Sequence, residues 1–241
     1  MKTIGLLGGM SWESTAPYYR IVNEVVREHL GGLHSARVVL YSVEFHEIEA
    51  LQRAGAWSEA GRLLAEAAAS LEGAGADILV LCTNTMHKVA PAVESAIGIP
   101  FLHIADPTAA AIRAAGLQTV GLLGTRFTME QDFYRARLES AHGIGVIVPE
   151  EADRETVHRV IYEELCVGVV EESSRSEYRE IIGRLVSAGA QAVVLGCTEI
   201  ALLVAPEDSD VPLLDTAALH ARAAAEWALS SADAAGRSPG V

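Results

Sequence analysis

The sequence predicts an α/β protein with two pseudo-symmetric domains, each built on a parallel sheet, that arose by internal duplication. Short apolar runs alternate with segments of helical spacing, which is typical of βαβ units. The stretch Gly75–Thr85 aligns without a gap on Gly189–Glu199, and two flanking pairs of segments also match. Each copy ends in polar residues after a strand. We therefore expect the two copies to face each other across an active-site cleft.

Eight strands follow from the short apolar runs, several of which are bounded by glycine. They are predicted near residues 2–8, 37–43, 78–82, 99–104, 119–124, 145–148, 191–196 and 211–214.

The helices follow from apolar residues at intervals of three and four and from capping signals at their ends. Ser14 or Thr15 is expected to cap the first helix, Gly31 and Gly32 to end it, and Gly73 to stop the second. The predicted helices run near 15–30, 58–71, 84–96, 129–141, 152–166, 175–187 and 216–229, with short ones beginning at about 106 and 200.

The repeat also suggests domain boundaries, because each copy needs its own sheet. Residues 1–105 together with 210–229 are expected to form the first α/β domain, and residues 106–209 the second. Residues 230–241 are rich in small and polar residues and are predicted to be a loose tail.

Composition excludes several classes of partner. The chain has 241 residues and is 50% hydrophobic, enough for a sizeable core. Asp and Glu number 32 against 18 Lys and Arg, so the net charge of −14 argues against nucleic acids and anionic membranes. A small anionic substrate remains compatible, because helix N-termini can hold it locally. No apolar run is long enough for a membrane span or a signal peptide, so a cytoplasmic location is expected.

The sequence contains no motif that indicates a dinucleotide, a pyridoxal cofactor or a zinc ion. The glycines after the first strand lack the G-x-G-x-x-G spacing of a dinucleotide site. A pyridoxal enzyme needs a Schiff-base lysine, but Lys2 lies at the wrong end of its strand and Lys88 on a helix surface. Three sparse cysteines suggest reduced thiols rather than disulfides, and no Cys or His spacing suggests zinc. We expect no cofactor and no metal.

Candidate site residues lie where the predicted strands end. Cys197 follows a strand at the edge where open α/β folds bind ligands, next to helix N–H groups that lower a thiol's pKa. The alternative is a buried structural cysteine. The repeat places Thr83 opposite Cys197, and Cys82, one residue earlier, is expected to point the other way. We expect Met10 and Ser11 at the rim of a small-ligand site.

The polar neighbours of these two residues are candidates for the substrate cradle. Asn84, Thr85 and Thr198, with nearby backbone N–H groups, are expected to hold an α-carboxylate and the charge that develops during reaction. Helix capping is the other role open to them. For Glu199, orienting Thr198, meeting a substrate ammonium group and favouring the helix N-terminus all remain open.

These motifs resemble those of a known family. Cys82-Thr-Asn-Thr-Met-His87 and Gly196-Cys-Thr-Glu199, with the start of the chain, closely resemble the aspartate/glutamate racemases over about residues 1–228. The resemblance implies a two-domain fold, usually dimeric, and cofactor-independent racemisation of amino acids. Two residues flank the substrate Cα, one removing its proton and the other delivering one to the opposite face. It also implies that Met10, Gln52 and Thr125 line the pocket.

One departure from the family pattern determines the predicted chemistry. Members with two catalytic cysteines carry Cys-Asn-Thr in the first half, whereas Thr83 stands at that cysteine's place here. The chain resembles the members that use a Thr/Cys pair. A thiol ionises far more readily than an alcohol, so Cys197 is predicted to be the strong base, with faster exchange from one enantiomer, L. The sequence leaves open whether Cys82 replaces Thr83.

The sequence thus predicts a cytoplasmic, homodimeric amino-acid racemase, an isomerase that acts through Cys197 and Thr83. Gln52 is neutral, whereas the side-chain carboxylate of a substrate would favour arginine at this position. A substrate range broader than aspartate and glutamate therefore remains open. The alternatives are a hydantoin- or maleate-type isomerase of the same superfamily and a non-catalytic protein that binds a small ligand.

Overall fold

The structure is a computed structural model that describes the backbone of residues 1–235 and the side chains of residues 1–230. The eight predicted strands are present in it: β1 (Thr3–Gly8), β2 (Arg37–Ser42), β3 (Ile78–Leu81), β4 (Phe101–Leu102), β5 (Thr119–Gly124), β6 (Gly145–Ile147), β7 (Val193–Gly196) and β8 (Leu213–Asp215).

The strands form two four-stranded parallel sheets of the same topology. The first sheet has the order β2-β1-β3-β4 and the second the order β6-β5-β7-β8, and each hydrogen-bonded pair of neighbours is parallel. The two copies of the repeat contain β3 and β7, which hold the same place in their sheets. The predicted α/β class with two parallel sheets is confirmed.

The helices agree with most of the predicted segments, but not in number or in every boundary. They are α1 (Trp12–Leu30), α2 (Phe45–Arg53), α3 (Trp57–Gly73), α4 (Ala90–Glu94), α5 (Ala105–Ala114), α6 (Arg126–Glu130), α7 (Asp132–Ala136), α8 (Glu151–Glu163), α9 (Glu172–Ser187), α10 (Ile200–Leu203) and α11 (Thr216–Ala235).

Several helical predictions need correction, among them the helix predicted near 84–96, which is a 3-10 helix at Thr85–Val89 followed by α4. Helix α1 begins at Trp12 after the N-cap Ser11, earlier than predicted. Helix α2 was not predicted; it begins after Glu44, whose carboxylate accepts two backbone N–H groups of the first turn at 3.1 and 3.0 Å. The single helix predicted near 129–141 is instead α6, α7 and one π-helical turn at Arg137–Ala141. A local cap and irregular turns leave little periodic signal in the sequence.

The chain divides into two compact units, whose bounds differ from the predicted domains. Unit 1 comprises Met1–Cys82, Val89–His103 and the chain from His220 onward, and unit 2 comprises Thr83–Lys88 and Ile104–Leu219. Residues 210–219 lie in unit 2, because β8 pairs with β7. Of the predicted tail, residues 230–235 continue α11, and 236–241 lie outside the described residues.

The core of unit 2 lies on both faces of its sheet. Leu123, Val193 and Leu195 belong to one buried cluster together with apolar residues of α8 and α9. Leu122 and Val194 belong to another, because successive side chains of a strand point to opposite faces. Within residues 1–235, no helix is both long and apolar enough to cross a bilayer.

At the carboxyl edge of this sheet, two glycines allow β5 and β7 to approach closely. Gly124 pairs with Gly196. A Cβ atom added to Gly124 would lie 2.9 Å from the carbonyl oxygen of Gly196 and 3.2 Å from its carbonyl carbon. A side chain at this position therefore pushes against backbone, which cannot move aside as a flexible side chain can.

We predict that Gly124→Ala lowers the free energy of unfolding by about 1–3 kcal/mol, because the added methyl group separates the two strand ends. Gly183→Ala is the matched control. A Cβ there meets nothing within 4 Å, so alanine should raise stability by about 0.5–1 kcal/mol. Urea denaturation of both variants measures the effects, and equal stability of Gly124→Ala and the wild type would contradict the prediction.

Candidate active site

Cys197 lies directly after β7, and its thiol is engaged with a buried carboxylate. The thiol donates a hydrogen bond to Oε2 of Glu199 at 2.9 Å. The hydroxyl of Thr198 donates to the same oxygen at 3.0 Å. Both Cys197 and Glu199 are buried. Three roles were left open for Glu199, and the hydrogen bond from Thr198 agrees with one of them, the orientation of Thr198. The hydrogen bond from the Cys197 thiol to Glu199 was not predicted.

The expectation that a helix N-terminus lowers the pKa of Cys197 is wrong. Burial, followed by the negative charge of Glu199, raises the pKa of the Cys197 thiol well above its usual value. Helix α10, which begins three residues later, has four residues only, and a single turn sums few peptide dipoles. Because the charged form of a buried thiol is disfavoured, Cys197 is a neutral thiol in the resting protein at neutral pH.

His87 fixes the backbone of Thr83. Nδ1 of His87 is 2.7 Å from the carbonyl oxygen of Thr83, and Nε2 accepts the N–H of Ile104 at 3.1 Å. Because Nε2 accepts, the proton lies on Nδ1, which donates to Thr83. Both ring nitrogens are thus engaged in buried hydrogen bonds to backbone, and the imidazole acts as a brace for this segment.

Two further hydrogen bonds tie the segment around Thr83 to the second sheet. The hydroxyls of Thr85 and Thr125 are 2.9 Å apart. The side-chain amide of Asn84 donates to the hydroxyl of Thr216 at 3.0 Å, and that hydroxyl donates to the carbonyl of Leu195 at 2.8 Å. Thr125 follows β5, and Thr216 follows β8. These bonds explain why Thr83–Lys88 belongs to the same unit as Cys197.

The bond to Thr216 also fixes the orientation of the Asn84 amide. The Thr216 hydroxyl uses its proton on Leu195, so it can only accept from Asn84. The amide nitrogen of Asn84 must therefore face Thr216. Its Oδ1 is buried and has no hydrogen-bond partner among the described residues. A buried acceptor of this kind carries a desolvation cost until a donor reaches it.

Cys82 has a different environment from Thr83. Its thiol is completely buried and lies 3.6 Å from the carbonyl oxygen of Val80, to which it donates. Burial raises the pKa of this thiol far above its usual value. Its backbone N–H continues the pairing of β3 with β1 by donating to the carbonyl oxygen of Leu7 at 2.9 Å. The choice of Thr83 over Cys82 as a catalytic residue stays a prediction.

Met10, Ser11 and Gln52 belong to unit 1, and their contact with a substrate stays a prediction. All three are buried. The glycines before them serve local packing. A Cβ on Gly8 would clash with Cγ2 of Thr15. The hydroxyl of Thr15 accepts the N–H of Gly9 at 2.9 Å.

The part of the chain that the structure describes contains no group of three or more His, Cys, Asp or Glu side chains placed to hold a metal ion.

Comparison with known proteins supports the family resemblance. The model of the Asp/Glu/hydantoin racemase family matches residues 7–224. The broad-specificity amino-acid racemase RacX of Bacillus subtilis is 22% identical over 231 residues, which are 91% of this chain and 95% of RacX.

Solved structures show the same similarity. A candidate Asp/Glu racemase from Yersinia pestis is 58% identical, with a TM-score of 0.88, over 95% of this chain and 100% of that one. An aspartate racemase homologue from Pyrococcus horikoshii is 35% identical, with a TM-score of 0.81, over 95% and 99%.

We predict that His87→Leu lowers the free energy of unfolding by about 2–4 kcal/mol, because it leaves the buried Thr83 carbonyl and Ile104 N–H unpaired. The control is His34→Leu, at an exposed position of unit 1, which should change stability by less than about 0.5 kcal/mol. Urea denaturation compares the two. Similar small losses in both variants would show that His87 is not a brace.

Proposed function

The chain belongs to the Asp/Glu/hydantoin racemase family and is an isomerase, and we propose that it is a cytoplasmic amino-acid racemase that uses no cofactor. The observation that carries the proposal is that the two candidate catalytic residues occupy corresponding positions after a strand in the two copies of the repeat. Cys197 follows β7 with its thiol bonded to a carboxylate, and the repeat places Thr83 at the corresponding position after β3.

In the proposed reaction, one proton leaves one face of the substrate Cα and another proton is delivered to the opposite face. The Cys197 thiol first loses its proton to solvent. Its thiolate then removes the Cα proton of one enantiomer, and the electron pair left on Cα is delocalised into the α-carboxylate. The hydroxyl of Thr83 then delivers a proton to the opposite face and regains one from solvent. Positioned proton transfer of this kind contributes about 10²–10⁴-fold to a rate.

The two groups differ too much in acidity to be equivalent. A thiol has an ordinary pKa of about 8.5, whereas an alcohol is a far weaker acid. We infer that Cys197 serves as base for one enantiomer, L, and that Thr83 is a poor base for the other. Exchange of the Cα proton should therefore be faster from L-amino acids than from D-amino acids.

The polar side chains of unit 2 support binding of an amino acid. The free acceptor of Asn84 fits the substrate ammonium group better than the carboxylate first expected, because an amide oxygen can only accept. Thr85, Thr125 and Thr198, with the N–H groups after β7, are proposed to hold the carboxylate. Relatives named for aspartate, for Asp/Glu and for broad specificity support a substrate class of aspartate, glutamate or a wider set.

We also propose a homodimer that forms through one face of unit 1. Six of the ten large apolar side chains that are exposed among the described residues lie between Trp12 and Tyr41. They are on α1, on the following loop and on β2, which pairs with β1 alone and so leaves its outer edge open. At about 100 Å² each they expose about 600 Å², close to the ~800 Å² that each partner buries in a standard interface.

The first experiment is Cα deuteration followed by NMR in heavy water, with chelator and hydroxylamine present and no cofactor added. We predict exchange from aspartate, glutamate or a neutral amino acid, and an initial rate higher for the L enantiomer. Cys197→Ser should lower the rate by about 10²–10⁴-fold. Thr83→Cys should raise the rate from the slower enantiomer, because it supplies a second thiol.

Cys82→Ala is the matched control, because it removes the neighbouring thiol and leaves Thr83 in place. We expect its exchange rate to stay close to that of the wild type. Loss of exchange in a folded Cys82→Ala protein would identify Cys82 as the second catalytic residue. Absence of exchange from every amino acid tested would contradict the racemase proposal, and equal rates from both enantiomers would contradict the asymmetry.

The dimer is tested by replacing an exposed leucine in each unit. Leu40→Glu places a charge on the open edge of β2, and we predict that it converts a dimer into a monomer in sedimentation velocity. Leu202→Glu is the control, because Leu202 is equally exposed, 44% against 47%, but lies in unit 2. A monomeric wild type, or a dimer that survives in Leu40→Glu, would rule out this interface.

A further inference from the structure

The side chain of His87 supplies a hydrogen bond to Thr83 that the local backbone does not make. Residues Thr85–Val89 form a 3-10 helix, and the N–H of His87 donates to the carbonyl of Asn84 at 3.0 Å. In an α-helix the same N–H would donate to the carbonyl of Thr83. The imidazole replaces this donor, since its Nδ1 lies 2.7 Å from the Thr83 carbonyl oxygen.

The other side of the ring is anchored to a regular helix. Nε2 of His87 accepts the N–H of Ile104 at 3.1 Å. Ile104 is the N-cap of the ten-residue helix α5, and its carbonyl accepts the hydroxyl of Thr108 at 3.1 Å. His87 is 2% exposed, so water competes little for either ring nitrogen. The carbonyl of Thr83 is thus tied to α5 through the imidazole.

The backbone of Thr83 determines where its hydroxyl lies. The oxygen is bonded directly to Cβ of a β-branched side chain, so few positions are open to it on a given backbone. Without the bond at its carbonyl, ψ of Thr83 is free to change, and the hydroxyl moves with the backbone. A displacement of about 1 Å can lower the rate of a positioned reaction about 10²-fold. The Cys197 thiol has a different support, the hydrogen bond to Glu199.

We propose that His87 is a positioning residue that holds the Thr83 hydroxyl in place for proton delivery, and so determines what fraction of the deprotonated substrate is inverted. This inference rests on the proposed racemase function. Once Cys197 has removed the Cα proton of an L-amino acid, two outcomes compete. Return of a proton from Cys197 restores the L enantiomer, whereas delivery from Thr83 gives the D enantiomer. Loss of the bond to the Thr83 carbonyl slows the second outcome and leaves the first unchanged.

The two outcomes carry different labels in heavy water. When Cys197 returns a proton, the bond to sulfur breaks and a bond to Cα forms on the original face, so deuterium enters the L enantiomer after the thiol has exchanged with solvent. When Thr83 delivers, its O–H bond breaks, a bond to Cα forms on the opposite face, and the oxygen regains a proton from solvent. Deuterated L enantiomer therefore measures return, and deuterated D enantiomer measures inversion.

Two substitutions separate the two hydrogen bonds of the ring. The side-chain nitrogen of asparagine lies as many bonds from Cβ as Nδ1 does, so His87→Asn keeps a donor for the Thr83 carbonyl and loses the acceptor for Ile104. The side-chain oxygen of glutamine lies as many bonds from Cβ as Nε2 does, so His87→Gln keeps that acceptor and loses the donor. Each variant leaves one buried backbone group unpaired, so both should lose stability to a similar extent. A difference in inversion between them therefore has another cause than stability.

The test incubates each variant with L-aspartate, L-glutamate and L-alanine in heavy water and measures both deuterated enantiomers by chiral chromatography and mass spectrometry. In His87→Gln we expect the ratio of inversion to return to fall by about 10²-fold. His87→Asn should keep most of the wild-type ratio, because its amide still donates to Thr83.

His220→Gln is the matched control for loss of a buried histidine. His220 lies in unit 1 and is fully buried. Its ring nitrogens are bonded to the hydroxyl of Tyr18 at 3.0 Å and to the carbonyl of Leu102 at 2.8 Å. This variant should be less stable than the wild type and should invert the same fraction of substrate.

The outcomes separate this inference from the proposed function. If the wild type racemises and folded His87→Gln keeps its ratio, or if His87→Asn loses as much inversion as His87→Gln, the positioning role is overturned and the racemase proposal stands. Absence of exchange in the wild type contradicts the racemase proposal, and the positioning role falls with it. The carbonyl ¹³C shift of Thr83 in an HNCO spectrum needs no turnover. It should change in His87→Gln and stay in place in His87→Asn, and an unchanged shift in His87→Gln also overturns the positioning role.

Discussion

The parallel pairing of β5 with β7 is the constraint on which the candidate site depends. The Gly124–Gly196 pair lets these strands run side by side to their carboxyl ends, so Thr125 and Cys197 follow at one edge. Thr125 holds Thr85, and the hydroxyl that follows β8 holds Asn84. The segment that carries Thr83 is therefore held by the second sheet, although it follows a strand of the first.

The electrostatic environment of Cys197 differs from that of a thiol activated at a helix N-terminus. A sulfur at a helix N-terminus is activated by partial positive charge, whereas Cys197 is buried against a carboxylate that favours the protonated form. Such an arrangement disfavours the thiolate form of Cys197.

The sequence predicted the eight strands and their parallel arrangement, because the buried strands of an α/β fold are continuous apolar runs. Such runs can be recognised even where the exact ends of a strand are uncertain. It missed α2, which depends on a single capping carboxylate at Glu44. It also assigned residues 210–219 to the first domain. Strand β8 is only three residues long, and its partner is decided by pairing across the sheet, which a one-dimensional pattern does not contain.

By itself, the sequence determined the fold class, the duplication and the alignment of Thr83 with Cys197, because these depend on spacing along the chain. The tertiary structure alone decided the protonation state of Cys197, the orientation of Asn84 and the bracing of Thr83 by His87. Burial and hydrogen-bond geometry arise when segments more than a hundred residues apart meet, as Asn84 and Thr216 do. Residue types name the groups that can react, and packing determines their pKa values and the directions in which they donate and accept.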